Sequence, residues 1–213
     1  MDPKDPKRAI LRAAETVFAR HGFRQTAMGL VADQAGLSRQ ALYHHFASKE
    51  ALFAALVDDL QDVAFAAAKA AAQKAKGGLA EIATAVLAAY HASLMTRIAG
   101  SPFAAELAEE SSRQCGDMVA AYGRKFSDEL EALIAREVRE GRFRLRGGLT
   151  AGDLAQLIIV ASKGVKMAHA SEGEAAYARA LARMVSLICS GAAAPGAVER
   201  NQVQPRTTRR RTR

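Results

Sequence analysis

Along almost the whole of this chain apolar residues return every third or fourth position, and no alternating run of β-branched and aromatic residues reaches strand length. That periodicity, in a sequence rich in alanine, restricts the fold to α-helices packed through one apolar face. With half of its 213 residues apolar, the chain can bury a substantial core, so disorder throughout is excluded. The fold class expected is all-α with about nine helices.

Glycines, prolines and capping residues divide the pattern. Ile10, Leu11, Ala14, Val17 and Phe18 give a first helix over 7–21, which His21-Gly22 ends. Thr26 is the expected N-cap of a second helix carrying Met28, Val31, Ala32 and Ala35. Gly36 supplies a turn, and Ser38 caps a third helix whose Leu42 and Phe46 face inward. Ser48 caps a long helix through Lys74, and Ile82, Val86, Tyr90 and Leu94 mark the next. Separate helices are expected over 103–113 and 116–140, then a basic loop from Arg142 to Gly148. A capping box of Thr150 and Asp153 opens a helix through about 169, and a last helix covers about 173–190.

Two short helices joined at a glycine, followed by the start of another, are the layout of a helix-turn-helix, whose second helix enters the major groove of DNA. In the helix capped by Ser38, the residues Arg39, Gln40, Tyr43 and His44 fall at i, i+1, i+4 and i+5 and share one face, opposite Ala41, Leu42 and Phe46. Arg can donate twice to guanine and Gln can pair with adenine. Tyr43 and His44 can reach a thymine methyl or a phosphate, and Lys49 brings a cation to the first turn of the next helix. An ordinary helical hairpin with a solvated polar face has the same periodicity.

The charge is unevenly placed. Residues 1–50 hold 8 Lys/Arg against 5 Asp/Glu, residues 51–198 hold 16 against 16, and residues 199–213 hold 6 against 1, so the net +8 is the sum of +3, 0 and +5. Attraction for a polyanion therefore resides in the two ends of the chain. From residue 192 onward periodicity is lost, and a disordered basic tail is expected.

Other chemistries find little support. Cys115 and Cys189 stand far apart with no metal-ligand spacing and read as buried, inert thiols. His44 and His45 are about 100° apart around a helix and cannot chelate one ion from it, while His21, His91 and His169 are isolated. No nucleophile motif, P-loop or dinucleotide-binding glycine pattern occurs, so neither an enzyme, a metal site nor a cofactor is expected. A charged start and the lack of any apolar run of about 18 residues lead to the expectation of a cytoplasmic protein without a membrane anchor.

Arg8-Ala9-Ile10-Leu11 with Ala14 and Phe18, Gly22-Phe23, Thr26, Val31-Ala32, Ala35-Gly36-Leu37-Ser38, Leu42-Tyr43, His45-Phe46, Ser48-Lys49-Glu50 and Leu52 closely resemble the DNA-binding domain of the tetracycline-repressor (TetR) family. The resemblance covers about the first quarter of the chain. It implies that residues 38–45 are the recognition helix, and that Thr26, Tyr43, His45 and Lys49 touch the phosphate backbone. Arg39, Gln40 and His44 fall where members of the family differ. Ala27 replaces a frequent second hydroxyl residue, and Gln40 stands where a small residue is common.

The same resemblance implies a helix-turn-helix domain at 1–50, a helical regulatory and dimerisation domain at 51–191, and the basic tail at 192–213. The partners implied are a near-palindromic double-stranded DNA operator, a second copy of the chain, and a small-molecule effector of apolar or aromatic character. The two helices after residue 150 would pair with their copies in a four-helix interface. No effector-binding residue is assigned. Phe65, Tyr90, His91, Met95, Phe103, Met118, Tyr122, Phe126 and Met167 combine soft apolar bodies with polar tips suited to a pocket, as they also suit a core. The function expected is a ligand-responsive transcriptional regulator acting as a repressor. The alternative is a sequence-indifferent nucleic-acid-binding protein driven by the Arg-rich tail.

Overall fold

The computed structural model describes residues 5–95, with the backbone only at 95, and residues 100–169 and 172–195. Eight helices are found among them: α1 (Pro6–Gln25), α2 (Met28–Ala35), α3 (Arg39–His45), α4 (Lys49–Lys74), α5 (Leu79–Met95), α6 (Ala104–Arg139), α7 (Ala151–Ala168) and α8 (Glu174–Ala192). The all-α expectation holds. The expected pair over 103–113 and 116–140 is instead one helix, bent at Cys115, whose φ of −121° and ψ of 15° leave the helical region. Glycine at 116 weakens a helix without removing its N–H, so the hydrogen-bond ladder resumes beyond the bend. The basic tail from 196 on lies outside the described residues.

The chain divides into two compact units, Met1–Lys76 with Ile82–Asp128, and Gly77–Glu81 with Glu129–Arg213. In the first, Ile10, Ala14, Val17 and Phe18 of α1 close over Val31 and Ala32 of α2, Leu42 of α3, and Leu52, Phe53 and Leu56 of α4. Each of these side chains is buried, which is the helical stripe read from the sequence turned toward one core. Leu107 and Cys115 of α6 complete the same cluster, and Phe103 and Met118 pack against it. Farther along the unit, the Tyr90 hydroxyl donates to Gln61 Oε1 at 2.9 Å while its ring stacks on Phe126 at 4.3 Å.

The nine soft residues considered for an effector pocket have different surroundings. Phe103 and Met118 serve the core under the first helices. Met167 is 82% exposed, and the Met95 side chain lies outside the described residues.

In the second unit α7 and α8 pack side by side. Leu154, Ile158 and Ser162 of α7 and Leu181, Val185 and Cys189 of α8 are buried. Thr150 and Asp153 form the expected capping box, with the Thr150 N–H donating to the Asp153 carboxylate at 2.9 Å and the Asp153 N–H donating to Thr150 Oγ1 at 3.1 Å. The basic loop before α7 is clamped at its start and at its middle. Arg142 donates to the buried Glu137 carboxylate at 2.7 and 2.6 Å, and Leu145 bridges Ala193 just beyond α8. Cys115 and Cys189 are both free and buried, and burial pushes the Cys189 thiol up to about 11.

Candidate nucleic-acid interface

The turn between α2 and α3 is set by Gly36, in the left-handed region at φ 68° and ψ 30°. Its N–H bonds back to the Ala32 and Asp33 carbonyls, and a Cβ there would meet no neighbour, so glycine is required for its conformation and not for space. Ser38 then caps α3, its hydroxyl accepting the Ala41 N–H at 3.1 Å. Leu42 is fully buried and Phe46 nearly so, which fixes the short helix against the core. With that side anchored, Arg39, Gln40, Tyr43, His44 and His45 are all exposed, Tyr43 by 51%. A seven-residue helix is too short to persist alone; the cap and these two anchors hold it.

The Arg39 guanidinium lies over α2 at Gly29, where a Cβ would come within 2.7 Å of its Nη2 and 2.8 Å of its Nε. A glycine inside a helix costs up to roughly 1 kcal/mol relative to alanine, and Gly29 stands in the first turn of α2. Here it leaves room for the arginine that leads the exposed face of α3. Its significance could not be read from the sequence, where Gly29 is only an isolated glycine inside a helical pattern.

Thr26 and Lys49 sit differently from the exposed residues of α3. Thr26 is not the N-cap of α2; that position is Ala27, which offers no side-chain bond. Thr26 is only 3% exposed and ends α1, its hydroxyl donating to the Gly22 carbonyl at 2.6 Å. The Lys49 ammonium turns inward, donating to the carbonyls of Phe23 at 2.9 Å and Arg24 at 3.4 Å, with the Phe23 ring centroid 4.4 Å away. Alanine cannot use a side chain at the N-cap, while the carbonyls left open at the end of α1 supply acceptors for both residues.

Those carbonyls are open because α1 breaks at Gly22, with φ 72° and ψ 174°, a conformation reserved for glycine. Space there is also limited, since a Cβ would come within 2.8 Å of Phe103 and of Glu106. Beyond the break Phe23 enters the core, stacked on Phe18 at 5.8 Å and edge-on to Phe53 at 5.0 Å. Glu106, from the first turn of α6, accepts the Arg24 N–H at 2.8 Å. It is 82 residues from Arg24, and no pattern in the sequence singles it out.

Among the described residues no group of three or more His, Cys, Asp or Glu side chains is placed to hold a metal ion, and no helix is long and apolar enough to cross a membrane. The arrangement offers a row of polar side chains on a short helix anchored from behind, Arg39 and Gln40 in the first turn and Tyr43, His44 and His45 in the next.

Comparison with known proteins agrees with this geometry. The family described as "Bacterial regulatory proteins, tetR family" matches residues 10–56, the stretch from α1 into α4. The chain is 41% identical over 64 residues to the HTH-type transcriptional regulator RutR of Escherichia coli, a match covering 30% of each protein. It is 34% identical over 80 residues to the HTH-type transcriptional repressor AcnR of Corynebacterium efficiens, covering 38% of this chain and 39% of that one. The similarity to these relatives thus spans well under half of their lengths. In fold, the structure superposes on a TetR transcription regulator from Haloarcula marismortui with a TM-score of 0.68, over 89% of this chain and 99% of that one, at 16% identity. With the helix-turn-helix, the family match over it and the shared all-helical fold together, residues 10–56 are a DNA-binding domain of the TetR family of bacterial regulatory proteins, carried by a chain with the fold of TetR regulators.

Proposed function

We propose that the protein is a homodimeric, ligand-responsive repressor that binds a near-palindromic operator through α3. The observation that carries this reading is the exposed row of Arg39, Gln40, Tyr43, His44 and His45 on a helix anchored from behind by Leu42 and Phe46. Arg39, Gln40 and His44 read base edges; Tyr43, His45 and the Ser38 end of the helix meet phosphates. Thr26 and Lys49 contribute by holding the end of α1, since both donate to its carbonyls. The reading head is residues 1–50, the regulatory and dimerisation part residues 51–191, and the basic tail residues 192–213.

Dimerisation is supported by a second apolar stripe on each of the last two helices. Besides their buried faces, α7 exposes Leu157 and Val160, each by 54%, and α8 exposes Leu187 by 66%. Neighbouring Met184 and Ile188 are half-buried. Exposed apolar stripes on paired helices are what a helix-bundle interface uses. A dimer places two copies of α3 at about 34 to 36 Å, one turn of the duplex. A small apolar or aromatic molecule that binds the DNA-incompetent arrangement better would release the operator.

The second reading, a sequence-indifferent binder driven by the tail, is favoured by the six Arg against one Glu in residues 199–213. Footprinting on genomic DNA with the full chain and with residues 199–213 deleted separates the two. The repressor keeps a protected dyad after deletion and loses part of its salt-dependent affinity. Loss of nearly all binding on deletion, with no dyad before it, would instead establish the second reading.

A further inference from the structure

α1 is broken at Gly22 and ends at the extended Thr26, and this joint over residues 22–26 is held by side chains from three places. Thr26 bonds the Gly22 carbonyl, Lys49 of α4 bonds the carbonyls of Phe23 and Arg24, and Glu106 of α6 accepts the Arg24 N–H. The first two hold acceptors with residues that belong to the reading head itself. Glu106 comes from a helix outside it and holds a donor.

The fit of α6 to this joint is close. Glu106 and Phe103 fill the space that a side chain at Gly22 would need. Ser101, just before α6, donates to the Ala19 carbonyl at 2.7 Å and accepts the Phe103 N–H at 3.0 Å, so the start of α6 is tied to the body of α1 as well. Leu107 and Cys115 carry α6 into the core beneath α1 to α4. Of these contacts, the Glu106 carboxylate alone meets the joint's backbone through a charge-assisted hydrogen bond.

The direction in which the chain leaves α1 is set at residues 22–26, two residues before α2 begins. Rotation there carries α2, Gly36 and α3 together, because Leu37, Ser38 and the buried Leu42 make that pair one piece. A small change of angle at the joint becomes a shift of the Arg39 and Gln40 tips, and base reading tolerates little misplacement.

We propose that Glu106 is a positioning residue for DNA reading, fixing the angle at which α2 and α3 leave α1 by holding the Arg24 N–H. This rests on the proposal that α3 reads an operator.

The test uses the full chain with Glu106→Ala, Glu106→Asp and Glu106→Gln, and Ser101→Ala as the comparison. Each protein is measured for melting temperature, for amide exchange at Arg24, and for affinity toward two duplexes. One is a genomic fragment selected by the wild-type protein and the other a mixed-sequence duplex of equal length. Loss of the carboxylate in Glu106→Ala, or its withdrawal by one methylene in Glu106→Asp, speeds Arg24 exchange and weakens the selected fragment about tenfold, with little change on the mixed duplex. Glu106→Gln, whose amide oxygen still accepts, stays within about threefold of wild type. Ser101→Ala lowers the melting temperature and keeps the preference.

Unchanged preference in Glu106→Ala and Glu106→Asp, with Arg24 exchange accelerated, overturns the positioning role. So does an equal loss of preference in Ser101→Ala, which would make the effect one of general stability. A wild-type protein with no preference between the duplexes overturns the operator reading itself, and the positioning role with it.

Discussion

The Lys49 ammonium sits 4.4 Å from the centroid of the Phe23 ring and donates to the carbonyl of the same residue at 2.9 Å. One cation thus caps the end of α1 and covers the aromatic side chain that closes it. Charge-assisted bonding and cation–π attraction at a half-buried site give Lys49→Ala an expected cost of about 2 kcal/mol in urea unfolding. All duplexes should be bound more weakly as a result, with the salt slope nearly unchanged. A residue that merely touched phosphate would leave unfolding unaffected and lower the slope by about 1 for each copy lost.

Gly29→Ala tests the neighbouring contact. The new methyl occupies the place of the Arg39 guanidinium, within 2.7 Å of Nη2, and the flexible end of the arginine must move. Alanine improves the helix by up to roughly 1 kcal/mol. The expected outcome is a protein no less stable in thermal unfolding, with altered preference at the base pair that Arg39 reads. Unaltered preference would show that Arg39 reaches DNA from another rotamer.

The exposed stripes of α7 and α8 predict the assembly. Leu187→Arg places a charge where α8 is 66% exposed in the single chain, so it should fold normally. Sedimentation should then find monomers where the wild type forms dimers, and operator affinity should fall steeply because one head loses its partner. A dimeric Leu187→Arg protein that binds as before would place the interface elsewhere.

Acid stability follows from Glu137. The hydrogen bonds from Arg142 outweigh burial and hold this carboxyl below the usual glutamate range. A depressed folded-state value contributes stability that is fully present above the unfolded value of about 4.3 and is lost as pH falls through the folded one. Melting of the wild-type protein should therefore drop on acidification from about pH 4.3 downward. Glu137→Gln should melt lower at neutral pH and depend less on pH in that window.

Local chemistry made much of this fold legible. Ser38, Ser48 and Thr150 each cap the helix expected, because a hydroxyl before an apolar stripe needs only its own next turn, and Asp153 completes the box at Thr150. The outward face of α3 was legible for the same reason, as Leu42 and Phe46 fix its inner side. Thr26 and Lys49 were placed by resemblance at phosphates, yet both turn toward the broken end of α1. That depends on Gly22 opening carbonyls which a regular helix end would have arranged differently. Glu106 and Gly29 act through partners on other helices, so periodicity carries no sign of either. The sequence pattern separates 103–113 from 116–140, whereas one helix runs through both and bends at Cys115, which is buried in the core beneath α1 to α4.

Reading of a two-fold symmetric sequence by α3 is measured by selecting genomic fragments on the purified protein and on its Arg39→Ala variant, then sequencing both pools. One enriched dyad is expected, with half-sites about one duplex turn apart. Arg39→Ala should relax a single base pair in each half, at a cost of about 1 to 3 kcal/mol. Pools without an enriched dyad, or an unchanged dyad in the variant, would contradict such reading by α3.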